Sequence, residues 1–346
     1  MNITTVGLDL AKNVFQVHAV DARGKVMLRK QLKRDQVSCF FVNLPPCVIG
    51  MEACASAHHW GRRLEGFGHT VRLMAPQFVK PYVKSNKNDM ADAEAICEAV
   101  SRPNMRFVPI KSVEQQSVLS LHRVRQGFVK ARTAQANQIR GLLGEMGLVI
   151  PQGIRYIAQR VPALLEDASN DLPATFRELI ERLTGHLKLL DGQVDEIQRQ
   201  IVSWDRNCEV SRRLQKIPGI GPLTATALVA TVADASTFKN GRQMSAWLGL
   251  VPRQKSSGGK PTLLGISKRG DAYLRTLLIH GARAAIRAAQ RGTGSCENTR
   301  ISKLLVRRHA NIAAVALANK NARTVWALLA HGREFDPGYV PVRANV

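Results

Sequence analysis

Two short apolar runs near the start of the chain each end in a carboxylate, and this limits the possible folds more than any other feature. Val6-Gly7-Leu8-Asp9 is the first, and Cys47-Val48-Ile49-Gly50-Met51-Glu52 the second. Runs of this length read as strands buried on both faces, so each acid stands where a strand leaves the core. Between them, Val14–Val20 alternates apolar and polar residues, a turn falls at Asp21-Ala22-Arg23-Gly24, and Lys25-Val26-Met27-Leu28 returns. That is an antiparallel meander. A helix is predicted near 34–43, another from His58 to Phe67 before Gly68, and a strand over Thr70–Met74. A meander followed by βαβ-type units is the order of a ribonuclease-H-like domain. The expected class is α/β here and mostly α afterwards.

From Asp89 the pattern becomes helical. Residues 112–147 form a long basic helix with Val118, Leu121, Val124 and Phe128 on its apolar side, ended by Gly147 and Pro151. A linker containing Pro162 and Pro173 follows. A second helix then carries Leu183, Leu187, Leu190, Val194, Ile197, Ile201 and Trp204 in alternating steps of four and three. This is the seam of a coiled coil, either an arm or dimerisation helix or one helix packed within its own domain. Another helical domain begins around Ile217–Pro222. The expected boundaries are 1–110, 111–208, 209–332 and a tail, 333–346.

Charge separates the two ends. The chain carries +24, from 50 Lys and Arg against 26 Asp and Glu. Residues 206–346 hold 23 basic and 6 acidic side chains, net +17, whereas residues 1–205 hold 27 and 20. An excess of this size attracts phosphates and releases their counterions, which points to nucleic acid. No run approaches the ~20 apolar residues of a membrane span. The six cysteines lack paired metal-ligand spacing, and with no secretory leader they suit reduced thiols in a bacterial cytoplasm, beside the nucleoid.

Asp89 and Asp92, three apart at a helix start, share one helix face. Together with Asp9 and Glu52 they make four carboxylates whose mutual repulsion calls for hard cations such as Mg²⁺, or Mn²⁺ in its place. Two such ions flanking a phosphate stabilise the attacking and leaving oxygens. Taken singly, Asp89 could be a helix cap and Glu52 a surface residue. Asp21, Glu94 and Glu98 read as solvated charges.

The basic half holds two phosphate-handling segments. Ile217-Pro218-Gly219-Ile220-Gly221-Pro222 resembles a helix-hairpin-helix, in which Gly219 and Gly221 let backbone approach a phosphate at the next helix start. Further on, Arg253-Gln254-Lys255-Ser256-Ser257-Gly258-Gly259-Lys260 reads as a flexible loop leading to Lys268 and Arg269 at another helix start. Composition does not separate a serine that binds phosphate from one that attacks it.

The set Asp9, Glu52, Lys87-Asn88-Asp89-Met90-Ala91-Asp92-Ala93, the Ile-Pro-Gly-Ile-Gly-Pro segment and the Ser-Ser-Gly-Gly segment, in this order, resembles the DEDD insertion-sequence transposases. These are relatives of the Piv-type DNA invertases and include the bridge-RNA-guided recombinases. The resemblance spans nearly the whole chain. It implies a RuvC-like domain holding Mg²⁺ through Asp9, Glu52, Asp89 and Asp92, a coiled-coil region, and a C-terminal transposase domain. That last domain supplies a serine nucleophile that matches Ser257, with Ser256 as the alternative. Arg253, Lys255 and Lys260 would then offset phosphate charge. It further implies donor and target DNA, an element-encoded bridge RNA, and a dimer or tetramer. Two other readings compete: a RuvC-type nuclease that uses water, and an architectural nucleic-acid-binding protein.

Overall fold

The computed structural model describes residues 2–84, 88–291 and 299–339, with backbone alone for Ser257, Pro261 and 299–301. Lys87, Cys296 and the last residues of the tail lie outside the described residues. The chain divides into two units, residues 1–113 with 233–237, and residues 114–232 with 238–346.

The first unit is built on β1 (Thr5–Leu10), β2 (Val14–Val20), β3 (Val26–Lys33), α1 (Gln36–Val42), β4 (Val48–Glu52), α2 (Ala57–Glu65), β5 (Thr70–Met74), α3 (Pro76–Val79), α4 (Asp89–Val100) and β6 (Phe107–Val108). Its six-stranded sheet has the order β3-β2-β1-β4-β5-β6. The meander β1-β2-β3 is antiparallel, β1, β4 and β5 are parallel neighbours, and β6 runs antiparallel to β5. This is compatible with the ribonuclease-H-like arrangement. Two-residue β6 is too short to leave a pattern in sequence.

The sheet is covered on both faces. On one, Val37 and Phe41 of α1 and Trp60 and Leu64 of α2 join Leu8, Phe15, Val17, Ile49 and Met51 in one buried cluster. On the other lies α4, and two glycines let it sit directly on the strands. A Cβ at Gly7 would come within 2.1 Å of the Ala93 carbonyl oxygen, and one at Gly50 within 2.8 Å of Val100 Cβ.

The second unit opens with α5 (Val113–Glu145), α6 (Ile154–Glu166) and α7 (Ala174–Asn207). The two long helices, each about 50 Å, run antiparallel. Trp204 Nε1 donates to Glu114 Oε1 (2.8 Å), Arg125 to Gln198 Oε1 (2.7 Å) and Arg132 to Asp191 Oδ1 (2.9 Å), and His186 bonds Gln135 (2.8 Å). Partner numbers fall on one helix as they rise on the other. Of the heptad seam, Leu187, Leu190, Val194 and Ile201 are buried, and Leu187 with Ile180 packs on Ala136, Ile139 and Leu143 of α5 and on Ile157 and Val161 of α6. The described packing is therefore within one chain. The expected linker around Pro162 is instead α6. Pro162 sits on the exposed side of that helix, where water can meet the carbonyl that its missing N–H leaves unserved.

The rest comprises α8 (Glu209–Leu214), α9 (Pro222–Thr231), α10 (Gly241–Trp247), β7 (Pro252–Ser257), β8 (Lys260–Ile266), α11 (Ala272–Gln290), α12 (Thr299–Arg307) and α13 (Ala310–His331). The segment expected as a flexible loop is the antiparallel hairpin β7–β8, turning at Gly258 (φ 57°) and Gly259 (φ 74°). Positive φ at both central residues is what a tight I′ turn demands, and Gly-Gly is its sequence signal. His122 ties the long helices to this half. Its imidazole, 1% exposed, bonds the Tyr273 hydroxyl of α11 (2.9 Å) and Thr226 Oγ1 of α9 (3.0 Å). No helix among the described residues is long and apolar enough to cross a membrane.

Candidate metal centre and basic hairpin

Asp9 is carried by β1 and Glu52 by β4, and the strands pair in parallel with Gly7 opposite Gly50 and Leu8 opposite Met51. Side chains alternate along a strand. Asp9 and Glu52 therefore project on the face that Gly7 and Gly50 present to α4, one position beyond the last paired residues. The same glycines set the height of α4. Ala93 and Cys97 rest on Gly7, so the preceding turn of the helix, carrying Asp89 and Asp92, falls beside Asp9.

Carboxylate oxygens of Asp9, Asp89 and Asp92 lie within 4.8 Å of one another. Asp9 and Asp92 are half-buried and Asp89 is exposed, so the cluster is open on one side. Such spacing suits several hard oxygen ligands on one divalent cation. Glu52 stands outside this triplet but close by. The Cys54 thiol is pushed up first by burial, then by the negative charges of Glu52 and Asp9. Asn88 begins α4 by accepting the Met90 N–H (2.9 Å). This cap fixes Asp89 and Asp92 in the first helical turn, where the helix dipole favours negative charge.

The acids read as ordinary charges have ordinary work. Glu94 pairs with Arg29 (3.3 Å), and Glu98 with Lys84 (2.8 Å) and Arg102 (2.5 Å). The last two hold the Glu98 carboxyl below its usual range through hydrogen bonds. Asp21 accepts the N–H groups of Arg23 and Lys25 in its turn. Sequence reasoning missed Asn88 as a cap and the glycine two residues before each strand acid. The repeated Gly-x-acid spacing was the available signal.

In the second unit, Arg253, Lys255 and Lys260 are exposed on the hairpin, and Ser256 Oγ accepts a hydrogen bond from Gln254 Nε2 (2.9 Å). The Ser257 side chain lies outside the described residues. Lys268 (φ 54°) and Arg269 are exposed just before Asp271, whose carboxylate caps α11 by accepting the Leu274 N–H (2.9 Å). In the connection from α8 to α9, Gly219 (φ 89°) faces Gly281 of α11. A Cβ there would meet the Gly281 carbonyl oxygen at 2.7 Å, and Asn321 donates to the Pro218 carbonyl (2.9 Å). Gly219 thus serves helix packing. Gly221 is exposed with open space around it at the start of α9.

Comparisons with known proteins cover both units. Residues 6–147 match the transposase family defined on DEDD proteins of IS110 elements, and residues 211–296 match the IS116/IS110/IS902 transposase family. A probable family 20 transposase of Pseudomonas aeruginosa is 54% identical over 98% of this chain and 100% of that protein. The transposase of insertion sequence element IS1328 from Yersinia enterocolitica is 42% identical over 97% of this chain and 99% of its own length. A pilin gene-inverting protein of Moraxella lacunata is 22% identical over 81% and 82% of the two chains. A DEDD domain implies dependence on a divalent metal, and the carboxylate cluster fits one. The chain therefore belongs to the IS110/IS116/IS902 family of insertion-sequence transposases, enzymes that cut and rejoin DNA.

Proposed function

We propose that this transposase breaks DNA with a serine nucleophile at a Mg²⁺ (or Mn²⁺) centre held by Asp9, Glu52, Asp89 and Asp92. The observation that carries the reading is the meeting of Asp9, Asp89 and Asp92 at the end of β1, with Glu52 on the neighbouring strand. The metal would stabilise charge on the scissile phosphate. Ser257 is the nucleophile, with Ser256 as the alternative. Its hydroxyl gives up a proton and bonds to phosphorus while a deoxyribose oxygen leaves. The new phosphodiester conserves the bond energy, so a second DNA hydroxyl can displace the serine without ATP. Arg253, Lys255 and Lys260 offset the phosphate charge, and Lys268, Arg269 and Gly221 contact backbone. Gly219, packed against Gly281, holds the loop in place and brings its own backbone to phosphate beside Gly221.

The substrates are donor and target DNA, selected by pairing with an element-encoded bridge RNA, and the working form is a dimer or tetramer. The +17 carried by residues 206–346 supports a large nucleic-acid load. Replacing Ser257 by Ala tests the nucleophile on DNA carrying the element's ends. A serine recombinase loses cleavage and its covalent protein–DNA adduct, whereas a water-using nuclease keeps cutting. If Ser257→Ala cuts normally and Ser256→Ala does not, the assignment moves by one residue. Loss in neither overturns the serine. Sequencing RNA that co-purifies with the protein from cells carrying its flanking DNA tests the guide, and recovery of no discrete RNA rejects it.

A further inference from the structure

A cleft of about 640 Å³ opens in the first unit on the face of the sheet turned away from α4. Strand alternation settles which face this is. Phe15 pairs with Leu10 and Asp9 with Gln16, so Phe15 projects opposite to Asp9. Trp60 packs edge-on against Phe15, with ring centroids 5.2 Å apart, and lines the cleft. The end of the sheet is shared: Val14 and Lys33 pair at the cleft rim, one strand along from where β1 delivers Asp9.

The cleft is strongly basic. Lys33, Arg34, His59 and Arg63 line it, with Asp35 as the one acid among the lining residues. The guanidinium of Arg34 lies 5.5 Å from the Trp60 ring centroid and that of Arg63 6.0 Å, so the indole holds both as a stacking floor. Trp60 is 3% exposed, yet its Nε1 donor has no acceptor among the described residues. An indole can only donate, and a buried donor without an acceptor is rare enough in folded proteins to need a reason. His59 is held below its ordinary range by burial, then by the positive charges of Arg62, Arg63 and Arg34.

We propose that this cleft binds a backbone phosphodiester of a nucleic-acid strand, with Lys33, Arg34 and Arg63 supplying the charge and Trp60 the floor. It is a second contact, on the far face of the sheet from the carboxylates. The phosphate held there is not the one that is cut. Its role is to fix the path of a strand around the end of the sheet that carries Asp9 and Glu52. The site does not depend on the identity of the nucleophile.

The test uses the full chain without added metal, so its result stands whether or not Ser257 proves to be the nucleophile. Binding of a labelled DNA duplex carrying the element's end, and of RNA transcribed from the element's flank, is followed by anisotropy from about 50 to about 300 mM NaCl. The Arg34→Ala/Arg63→Ala protein should bind one of the probes about tenfold more weakly at about 150 mM salt. Its plot of log affinity against log salt should be shallower by roughly 1 to 2. Loss confined to DNA or to RNA names the strand concerned. Arg34→Lys/Arg63→Lys should restore the slope. Trp60→Phe, which removes the N–H and leaves a smaller ring beneath the two guanidiniums, should weaken binding with the slope unchanged. A folded double-alanine protein with parental affinity and slope on both probes overturns the site. If that variant does not fold, exposed Lys33→Glu decides instead, and an unchanged slope rejects the proposal.

Discussion

The carboxylate centre and the serine hairpin are built in opposite ways. Around Asp9, β1 and β4 are buried on both faces, α4 rests on two glycines, and Asn88 pins the helix start, so three carboxylates are held together in the free protein. Along β7–β8 nearly every described residue from Pro252 to Gly265 is exposed, Leu263 by 66%. A two-stranded ribbon without a packed face is marginally stable by itself. Metal ligands must stand at fixed distances before the ion arrives, whereas a segment that meets a charged polymer can take its final form on the polymer. Packing organises the first, and nucleic acid would organise the second.

The largest effect should come from the packed side. Asp92→Asn, isosteric and half-buried in the first turn of α4, should cut strand cleavage by about 10³-fold or more while leaving the melting temperature unchanged or raised. Chelation of divalent metal should reproduce the loss in the parent and be reversed by Mg²⁺ or Mn²⁺. Cleavage that survives both would remove the carboxylates from the chemistry. Next comes Gly7→Ala. The added carbon meets the backbone of α4, which cannot turn aside, so a cost of about 1–3 kcal/mol is expected. Because the helix must lift, Asp89 and Asp92 retreat from Asp9, and cleavage should fall further than stability alone explains. Calorimetry beside a cleavage assay measures both. A variant that cuts normally would show that the spacing of the carboxylates tolerates movement.

Acid should strike the other unit. Burial pushes His122 down to about 4, so in the fold it stays neutral between its Tyr273 and Thr226 partners. Unfolded, it titrates near 6.5. Between these values the unfolded chain binds the extra proton, so stability is full above about pH 6.5 and declines as pH falls towards 4. The loss reaches on the order of 2–3 kcal/mol. His122→Gln should flatten this dependence at the cost of about 1 kcal/mol at neutral pH. A melting profile equally steep in the variant would assign the acid sensitivity elsewhere.

How far each region could be read from sequence follows the same division. The strands ending in Asp9 and Glu52, the meander and the helix at Asp89 declare themselves, because burial on both faces writes continuous apolar runs and the acids interrupt them. What stayed hidden needs neighbours distant in sequence. Gly7 and Gly50 matter because of Ala93 and Val100, and Gly219 because of Gly281, so the phosphate role read for Gly219 from its local motif meets a packing role in the fold. The heptad seam was visible, but its partner was not, since α5 offers the antiparallel match some fifty residues earlier in the chain. Helix α6 was concealed by Pro162, which an exposed position tolerates. The hairpin was taken for a loop because serines, glycines and lysines lack the apolar alternation by which strands are recognised.

The smallest expected effect tests the exposed side. A Cβ at Gly259 meets nothing within 4 Å, but φ of 74° is strained for any residue with a side chain. Gly259→Ala should therefore cost about 1–2 kcal/mol in the turn alone. Because the ribbon adds little to the fold, the melting temperature of the whole chain should barely move. The change should instead appear as faster amide exchange across β7 and β8 in the free protein, and as a several-fold weaker grip on DNA carrying the element's ends, since binding must then restore the turn. Supplying Asn at the same position, the residue that best tolerates positive φ after glycine, should recover part of both. If Gly259→Ala lowers the global melting temperature by as much as Gly7→Ala does, the hairpin is part of the packed fold and the division between the two regions fails.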